Sequence, residues 1–139
     1  MTRVDFYVVS AGSPSTRTEV AVRLAEKARS RGHKLYINAQ SEIEADQLDD
    51  LLWSMRPASF LPHHTVREGF AGNIVVGWGQ EPVDHDDVLI NLALAPPPFF
   101  SRFQRVAEVV NQDPSALEAM RDAWRFYRER GYPLQKHDL

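Results

Sequence analysis

Cysteine is absent from all 139 residues of the sequence, which excludes disulfide bonds, thiolate zinc sites and cysteine nucleophiles. The sequence also lacks an apolar run approaching about 18 residues, and its first residues hold no apolar core of signal-peptide length. No feature of the sequence indicates a membrane or an oxidising compartment. We therefore expect a cytoplasmic protein.

Positive charge is also scarce, because 16 Lys and Arg residues face 19 Asp and Glu residues, for a net charge of −3. This balance argues against strong non-specific nucleic-acid binding, which depends on cations that displace counterions from phosphates. The deficit is uneven: residues 71–100 contain no Lys or Arg, whereas residues 121–130 contain four arginines against two acidic residues. A local basic site on an acidic protein is the pattern to explain.

Alternating apolar runs and turn residues predict strands and helices in alternation. Five strands are predicted, at residues 3–9, 34–38, 73–78, 87–92 and 106–111. Helices are predicted at about 16–31, 41–53, 99–103 and 113–131. Ser41 and Asp113 are the expected N-caps of the second long helix and of the last one. The pattern indicates a single α/β domain over residues 1–139, with an open, mostly parallel five-stranded sheet and helices on both faces, a Rossmann-like three-layer fold.

Patterns that support catalysis or cofactor binding are missing. The turn at residues 11–16 holds one glycine and matches neither the dinucleotide fingerprint nor the phosphate-loop pattern. No two of the five histidines lie one helical turn apart, and the acidic cluster around His85 is more typical of a polar turn than of a metal site. A Gly-x-Ser-x-Gly elbow is absent as well. We expect no catalytic residues, no cofactor and no metal.

One segment places large aromatic residues where a partner can reach them. Trp53 ends the second long helix, and Phe60 follows in a proline-bounded loop. Both residues either fold back onto the core or serve as exposed interface anchors, since aromatic residues are enriched at interface hot spots. Ile43 is expected on the buried side of the same helix.

The last predicted helix combines an apolar stripe with a basic face. Arg121, Arg125 and Arg128 recur at spacings of four and three, so they share one face, which adjoins Trp124. This arrangement suits a ligand with carboxylates and a hydrophobic tip, such as an acidic peptide terminus. A solvated cationic face, which the helix dipole favours near a C-terminus, is an equal alternative.

Taken in order, these segments resemble the chi subunit family of the DNA polymerase III clamp-loader complex. The resemblance spans nearly the whole chain. Its most specific parts are residues 49–63, with Leu-Trp, Arg-Pro-Ala and Ser-Phe-Leu-Pro-His, and the closing pattern Arg121-x-x-Trp124-Arg125-x-Tyr127-Arg128-x-x-Gly131-Tyr132-x-Leu134. Weaker matches continue it at residues 3–9, 75–80, 87–92 and 108–110.

The resemblance implies a non-catalytic accessory subunit of DNA replication with two contact surfaces. One surface would bind the acidic C-terminal tail of single-stranded DNA-binding protein, through Arg121, Trp124, Arg125 and Arg128. The other would face the psi subunit of the clamp loader, through Trp53 and Phe60, and in the family it can also engage a repair helicase. Contact with nucleic acid would then be mainly indirect, through these partners, and no membrane would be involved.

Two departures from the family pattern bear on the first surface. Trp124 stands where the family can carry Tyr, and Arg125 stands where it can carry Lys, so an aromatic group and a cation are both kept. The chain also ends soon after Leu134, which affects the residues available to line the pocket.

Two other function classes stay open on the residues alone. One is a degenerate Rossmann-like nucleotide-binding enzyme whose catalytic residues are scattered through the sequence. The other is a direct single-stranded nucleic-acid binder, which the net charge of −3 disfavours.

Overall fold

The computed structural model of the protein describes residues 2–54, 64–65 and 73–139. The strands in these ranges are β1 (Arg3–Val8), β2 (Leu35–Asn38), β3 (His64–Thr65), β4 (Ile74–Gly77), β5 (Val88–Asn91), β6 (Arg105–Val110) and β7 (Leu134–Asp138). The α-helices are α1 (Arg17–Ser30), α2 (Glu42–Ser54) and α3 (Pro114–Glu129), and a 3-10 turn at Phe100–Arg102 precedes β6.

The strands form one sheet in the order β3-β4-β2-β5-β6-β1-β7, and every neighbouring pair is parallel. This confirms the α/β class and the parallel sheet. The predicted count of five strands is wrong, because the described residues add the two-residue β3 and the five-residue β7. β7 escaped the prediction because Leu-Gln-Lys-His-Asp is mostly polar, as suits an edge strand that pairs only with β1.

Helices cover both faces of the sheet, as predicted. Side chains alternate across each strand, so β1, β2, β4, β5 and β6 each contribute to two separate cores. On one face, Ile37, Val76 and Ile90 pack with buried residues of α1 and α2. On the other face, Phe6 and Val106 pack with α3 and with three phenylalanines at residues 99–103.

The helix caps differ in detail from the prediction. Thr16 forms a complete capping box with Glu19, which stabilises the start of α1. At α2, Ser41 Oγ accepts a hydrogen bond from the Glu44 amide at 3.2 Å, but the Glu44 carboxylate accepts from the Gln40 amide at 2.8 Å and pairs with Arg17. Asp113 is the N-cap residue of α3, although its side chain makes no capping hydrogen bond.

A search of the described ranges finds no helix with the length and apolar character needed to cross a bilayer.

Because Gly77 has no side chain, the buried ring of Tyr36 can occupy the space next to it. A Cβ atom at residue 77 would lie 2.8 Å from Tyr36 Cζ, well inside van der Waals contact. The ring is also held in place, because its hydroxyl donates a 2.6 Å hydrogen bond to the Gln80 carbonyl. A side chain at residue 77 therefore forces a buried group to move.

We expect Gly77→Ala to lower the free energy of unfolding by about 1–3 kcal/mol through overpacking. Denaturant unfolding measures this change. Gly12→Ala is the matched control, because a Cβ there meets nothing within 4 Å. Equal stability of the two variants would show that the Tyr36 ring moves away without cost.

Candidate partner-binding site on the last helix

Helix α3 divides into a buried face and a basic face. Ala123 and Tyr127 are buried against the sheet, and Trp124 is half-buried beside them. Arg121, Arg125 and Arg128, which helical spacing predicted to share one face, are all solvent-exposed. The structure therefore brings the four predicted residues of this helix together on one surface, which we call the α3 surface: Arg121, Trp124, Arg125 and Arg128.

Trp124 connects the α3 surface to the core. Its ring lies 5.2 Å from the ring of Phe6, centroid to centroid, and Phe6 on β1 is fully buried. Trp124 lies three residues after Arg121 and four before Arg128, so helical spacing places it between these two residues on one face of the helix. The core thus fixes the position of the one aromatic group on this surface.

The three arginines differ in their pairing. Arg125 approaches Asp122 at 3.8 Å, but both side chains are more than half exposed, so this pair adds little stability. Among the residues that the structure describes, Arg121 and Arg128 form no ion pair or side-chain hydrogen bond. Their guanidinium groups are available to an anionic partner.

β7 adds a cation that the sequence patterns did not point to. Phe6 and Lys136 are register partners, so Lys136 stands on the α3 side of the sheet, as Phe6 does. Its ammonium group pairs with Asp138 at 3.3 Å, and both side chains are substantially exposed. Alternation along residues 134–138 was the available clue, but it is visible only once β7 is known to be a strand.

A buried carboxylate anchors α3 to the sheet. Glu108 on β6 is 5% exposed, and it accepts a 2.7 Å hydrogen bond from the Tyr127 hydroxyl. Asn91 on β5 donates to both Glu108 oxygens, at 2.9 and 3.2 Å. Burial raises the pKa of Glu108 to about 7, although the hydrogen bonds from Tyr127 and Asn91 act in the opposite direction.

The polar network continues across the sheet. Asn38 on β2 donates a 2.9 Å hydrogen bond to Asn91 Oδ1 and accepts one of 2.8 Å from the Gly79 amide. Residues of three strands, one helix and the turn after β4 are therefore linked through hydrogen-bonded amide, hydroxyl and carboxylate groups. Such a network is costly unless every member is satisfied, and it specifies a single arrangement of the elements.

A cavity of about 180 Å³ lies under the N-terminal half of α3, at the carboxyl ends of the strands. Its lining includes Arg17, Glu108, Met120 and Ala123, but none of the four residues of the α3 surface. The Arg17 guanidinium is already bound to the Leu92 carbonyl at 2.9 Å and to Glu44. The cavity is therefore a separate feature, although it shares the helix.

The second predicted surface is only partly described. Trp53 lies at the end of α2 and is 52% exposed, whereas Phe60 lies outside the described residues. Ile43 was expected to face the core, and this is wrong, because it is 73% exposed. Residues 43 and 48 are five apart, so helix geometry turns Ile43 away from the buried Leu48 and Leu52.

The side chains described here do not form a metal centre: no group of three or more His, Asp or Glu residues among them is arranged to hold an ion.

Comparisons with known proteins identify relatives along the whole chain. The family "DNA polymerase III chi subunit, HolC" matches residues 1–135. DNA polymerase III subunit chi of Pseudomonas aeruginosa is 48% identical over 139 residues, covering 100% of this chain and 98% of the relative. The subunit of Haemophilus influenzae is 28% identical, covering 97% and 96%, and that of Escherichia coli is 31% identical, covering 79% and 76%.

Two solved structures share the fold at low sequence identity. T4 UvsW superposes with a TM-score of 0.69 at 8% identity, covering 99% of this chain and 42% of that one. Domain 2 of the DEAD-box helicase Mss116p, bound to an RNA duplex, gives 0.58 at 12% identity, covering 97% and 64%. At these identities the likeness concerns the α/β fold alone.

The raised pKa of Glu108 predicts a loss of stability as pH rises. The unfolded chain titrates near 4.5 and the folded chain near 7, so the favourable protonated form is fully present below about pH 4.5 and lost through pH 7. Between pH 5 and pH 8 the corresponding loss is about 2–3 kcal/mol. We expect Glu108→Gln to remove this decline, measured as the free energy of unfolding at pH 5 and pH 8.

Histidine titration contributes equally to both proteins, so the difference between wild type and variant isolates Glu108. Parallel stability profiles for the two proteins would show that Glu108 stays ionised in the folded state.

Proposed function

This chain belongs to the DNA polymerase III chi subunit family, an accessory component of the replication machinery, and we propose that it links two proteins of that machinery. The α3 surface binds the acidic C-terminal tail of single-stranded DNA-binding protein. The exposed end of α2 binds the psi subunit of the clamp loader. The protein acts by binding and not by catalysis.

The observation that carries the first assignment is the placing of Trp124 between Arg121 and Arg128. An acidic tail that ends in a free carboxylate and an apolar side chain needs cations around an apolar contact. Both arginines are exposed, and among the described residues they are not neutralised by a carboxylate. A guanidinium group can donate two parallel hydrogen bonds to one carboxylate, which favours Arg over Lys at these positions.

Trp124 supplies the apolar contact. Its ring is packed on Phe6 on one side and remains partly exposed on the other, so binding does not require a hidden ring to turn outward. Such pre-organisation reduces the entropy lost on association. Lys136, on the same side of the sheet, extends the positive field towards the β7 edge.

A few charge-assisted hydrogen bonds and one aromatic contact give a weak complex, roughly micromolar, or about −8 kcal/mol. Weak binding fits a partner that presents several tails, because linked sites raise the effective concentration of each tail. The acidic character of the chain as a whole, with a net charge of −3, disfavours unspecific capture of nucleic acid by the same surface.

For the second surface, support comes from apolar side chains on the solvent side of α2. Trp53 is 52% exposed and Ile43 is 73% exposed, at opposite ends of the helix. Phe60, which lies outside the described residues, completes the proposed psi contact as an expectation from the sequence. The repair helicase that family members engage would compete for the same surface.

Arg121→Ala should weaken binding of a labelled tail peptide at least tenfold, because it removes a charged hydrogen-bond partner worth about 1.5–3 kcal/mol. Fluorescence anisotropy at low and moderate salt measures the affinity. Arg23→Ala is the matched control: it removes one exposed arginine from α1, on the opposite face of the sheet. An affinity that is the same in wild type and Arg121→Ala would contradict the assignment.

Trp53→Ala and Phe60→Ala should each weaken pairing with psi by about 1–2 kcal/mol or more, as expected for interface aromatics, and leave tail binding unchanged. Pull-down with psi and peptide titration report the two activities separately. Val83→Ala removes another exposed apolar side chain, 67% exposed and distant in sequence from α2, and should change neither. Parallel loss of both activities would mean that the variants misfold.

A further inference from the structure

A second cavity, of about 170 Å³, opens on the α1 side of the sheet. Helix α1 covers β2, β5 and part of β6. The half-buried Tyr7 of β1 forms the wall of the cavity on the side away from α1. Its floor is Ala107 and Ile90, and its helical wall is formed by Leu24 and Ala28. We call this feature the α1 groove: Tyr7, Leu24, Lys27, Ala28, Arg31 and Arg105.

Cations from different elements meet at the rim of the α1 groove. Lys27 and Arg31 come from the last turn and the C-cap of α1, where the helix dipole by itself favours positive charge. Arg105 comes from the first residue of β6 and Arg3 from the first residue of β1, and the helix dipole explains neither. Arg3 and Arg105 also line an adjoining hollow, so the positive rim continues along this edge of the sheet.

The carboxylates of the groove and of the adjoining hollow are already paired. Asp5, with a side chain only 7% exposed, lies 3.0 Å from His137 Nε2 and 3.7 Å from Arg105 Nε. Asp87 lies 2.9 Å from His33 Nδ1. Asp5 lines the groove together with Lys27, Arg31 and Arg105, so cations outnumber the carboxylate there and the formal charge of the lining is positive on a protein that is negative as a whole.

An aromatic pair forms the wall opposite α1. Tyr7 and His137 are register partners on β1 and β7, and their rings stack at 4.7 Å with an angle of 15°. The hydrogen bond to Asp5 holds the imidazole in this position. A flat ring that enters the groove therefore finds a fixed aromatic surface on one side and aliphatic side chains on the other.

The groove has room for a single ring system. A cavity of about 150 Å³ accommodates benzene in proteins, and this one is slightly larger and open to solvent at its mouth. A ligand that fits must carry a planar ring and also anionic groups that reach the rim. Rings alternating with anionic groups along one chain are the defining pattern of single-stranded nucleic acid.

We propose that the α1 groove binds single-stranded nucleic acid, with one base in the slot beside Tyr7 and the flanking phosphates on Lys27, Arg31 and Arg105. This activity goes beyond the adaptor function proposed above. It uses the opposite face of the sheet from the α3 surface, so a strand and a protein tail can be bound together. The site is short and the chain is acidic overall, so binding is weak and depends strongly on salt.

An acidic peptide with an aromatic side chain is the competing ligand for such a slot. The continuous rim favours a polyanion over it, because the positive charges extend beyond the slot to Arg3 rather than surrounding one point. Nucleic acid also needs no hydrogen-bond donors aimed at a terminal carboxylate, and the lining of the groove combines the Tyr7 ring and aliphatic side chains with cations.

The test is titration of a fluorescein-labelled thymidine oligonucleotide of about 12 nucleotides with the full chain, followed by anisotropy from 20 to 200 mM salt. We expect a micromolar dissociation constant at low salt. Three phosphate contacts predict a slope of log K against log salt of about −2, at about −0.7 per contact for single strands. Arg31→Ala should weaken binding several-fold and reduce the slope by about 0.7.

Arg130→Ala provides a close control for Arg31→Ala. Both arginines are C-cap residues with similar backbone angles, and each is followed by a glycine of positive φ, Gly32 or Gly131. The same charge is removed from the same local structure on opposite faces of the sheet. We expect Arg130→Ala to bind the oligonucleotide as wild type does, and we expect Arg31→Ala to bind the tail peptide normally.

A second comparison tests the base slot. An abasic oligonucleotide of equal length should bind about tenfold more weakly, since stacking on an aromatic ring contributes about that much per base. Tyr7→Phe keeps the ring and should keep binding, whereas Tyr7→Leu should reduce it to the abasic level.

Three outcomes would overturn the proposal. One is absence of oligonucleotide binding at low salt. Another is equal loss in Arg31→Ala and Arg130→Ala, which would mean unspecific attraction. The third is capture, sensitive to Arg31→Ala, of an acidic aromatic peptide in place of the oligonucleotide, which would make the groove a protein-binding site. None of these outcomes affects tail binding at the α3 surface, which is measured separately.

Discussion

The hydrogen bond from Tyr127 to Glu108 is the contact on which the arrangement of this protein depends. It joins the last turn of α3 to the centre of β6 inside an apolar core, where neither partner can turn to water. A buried carboxylate without donors would be strongly unfavourable, so Tyr127 and Asn91 have to stay where they are. The orientation of α3 about its own axis is set by this requirement. With Tyr127 pointing inward, Trp124 reaches Phe6 and the arginines face solvent.

The same constraint explains how an acidic protein presents basic surfaces. The parallel sheet has a helical layer on each side. The positive residues lie on the outer face of α3 and at Lys136 on one side, and at the α1 groove, beside the edge of α1, on the other. Long cationic side chains suit such margins, because their aliphatic stems cover apolar surface while their charges stay in water. Two anionic ligands can then be held without mutual contact.

Much of the fold and of the α3 surface could be predicted from the sequence. The apolar strands were found because buried parallel strands are almost continuously hydrophobic. The α3 surface was found because Arg121, Trp124, Arg125 and Arg128 lie at helical spacings. The misses have equally definite causes. β7 was missed because it is an edge strand with little apolar character. Ile43 was assigned to the buried side, although its five-residue spacing from Leu48 turns it outward. The hydrogen bond from the Gln40 amide to the Glu44 carboxylate depends on the conformation of the chain before the helix. Asp113 occupies its cap position without using its side chain.

Local patterns determined the elements, their order and the composition of the α3 surface, because periodicity and capping act over a few residues. Tertiary structure alone decided which side chains meet across the sheet. Glu108 reads as one polar residue in an apolar strand, and nothing near it in sequence reveals that Tyr127 and Asn91 satisfy it. The aromatic wall of the α1 groove likewise joins Tyr7 to His137, which lie 130 residues apart and meet only because β1 and β7 pair. Such contacts depend on strand order and register, which are set by the burial of the whole sheet and not by any segment of it.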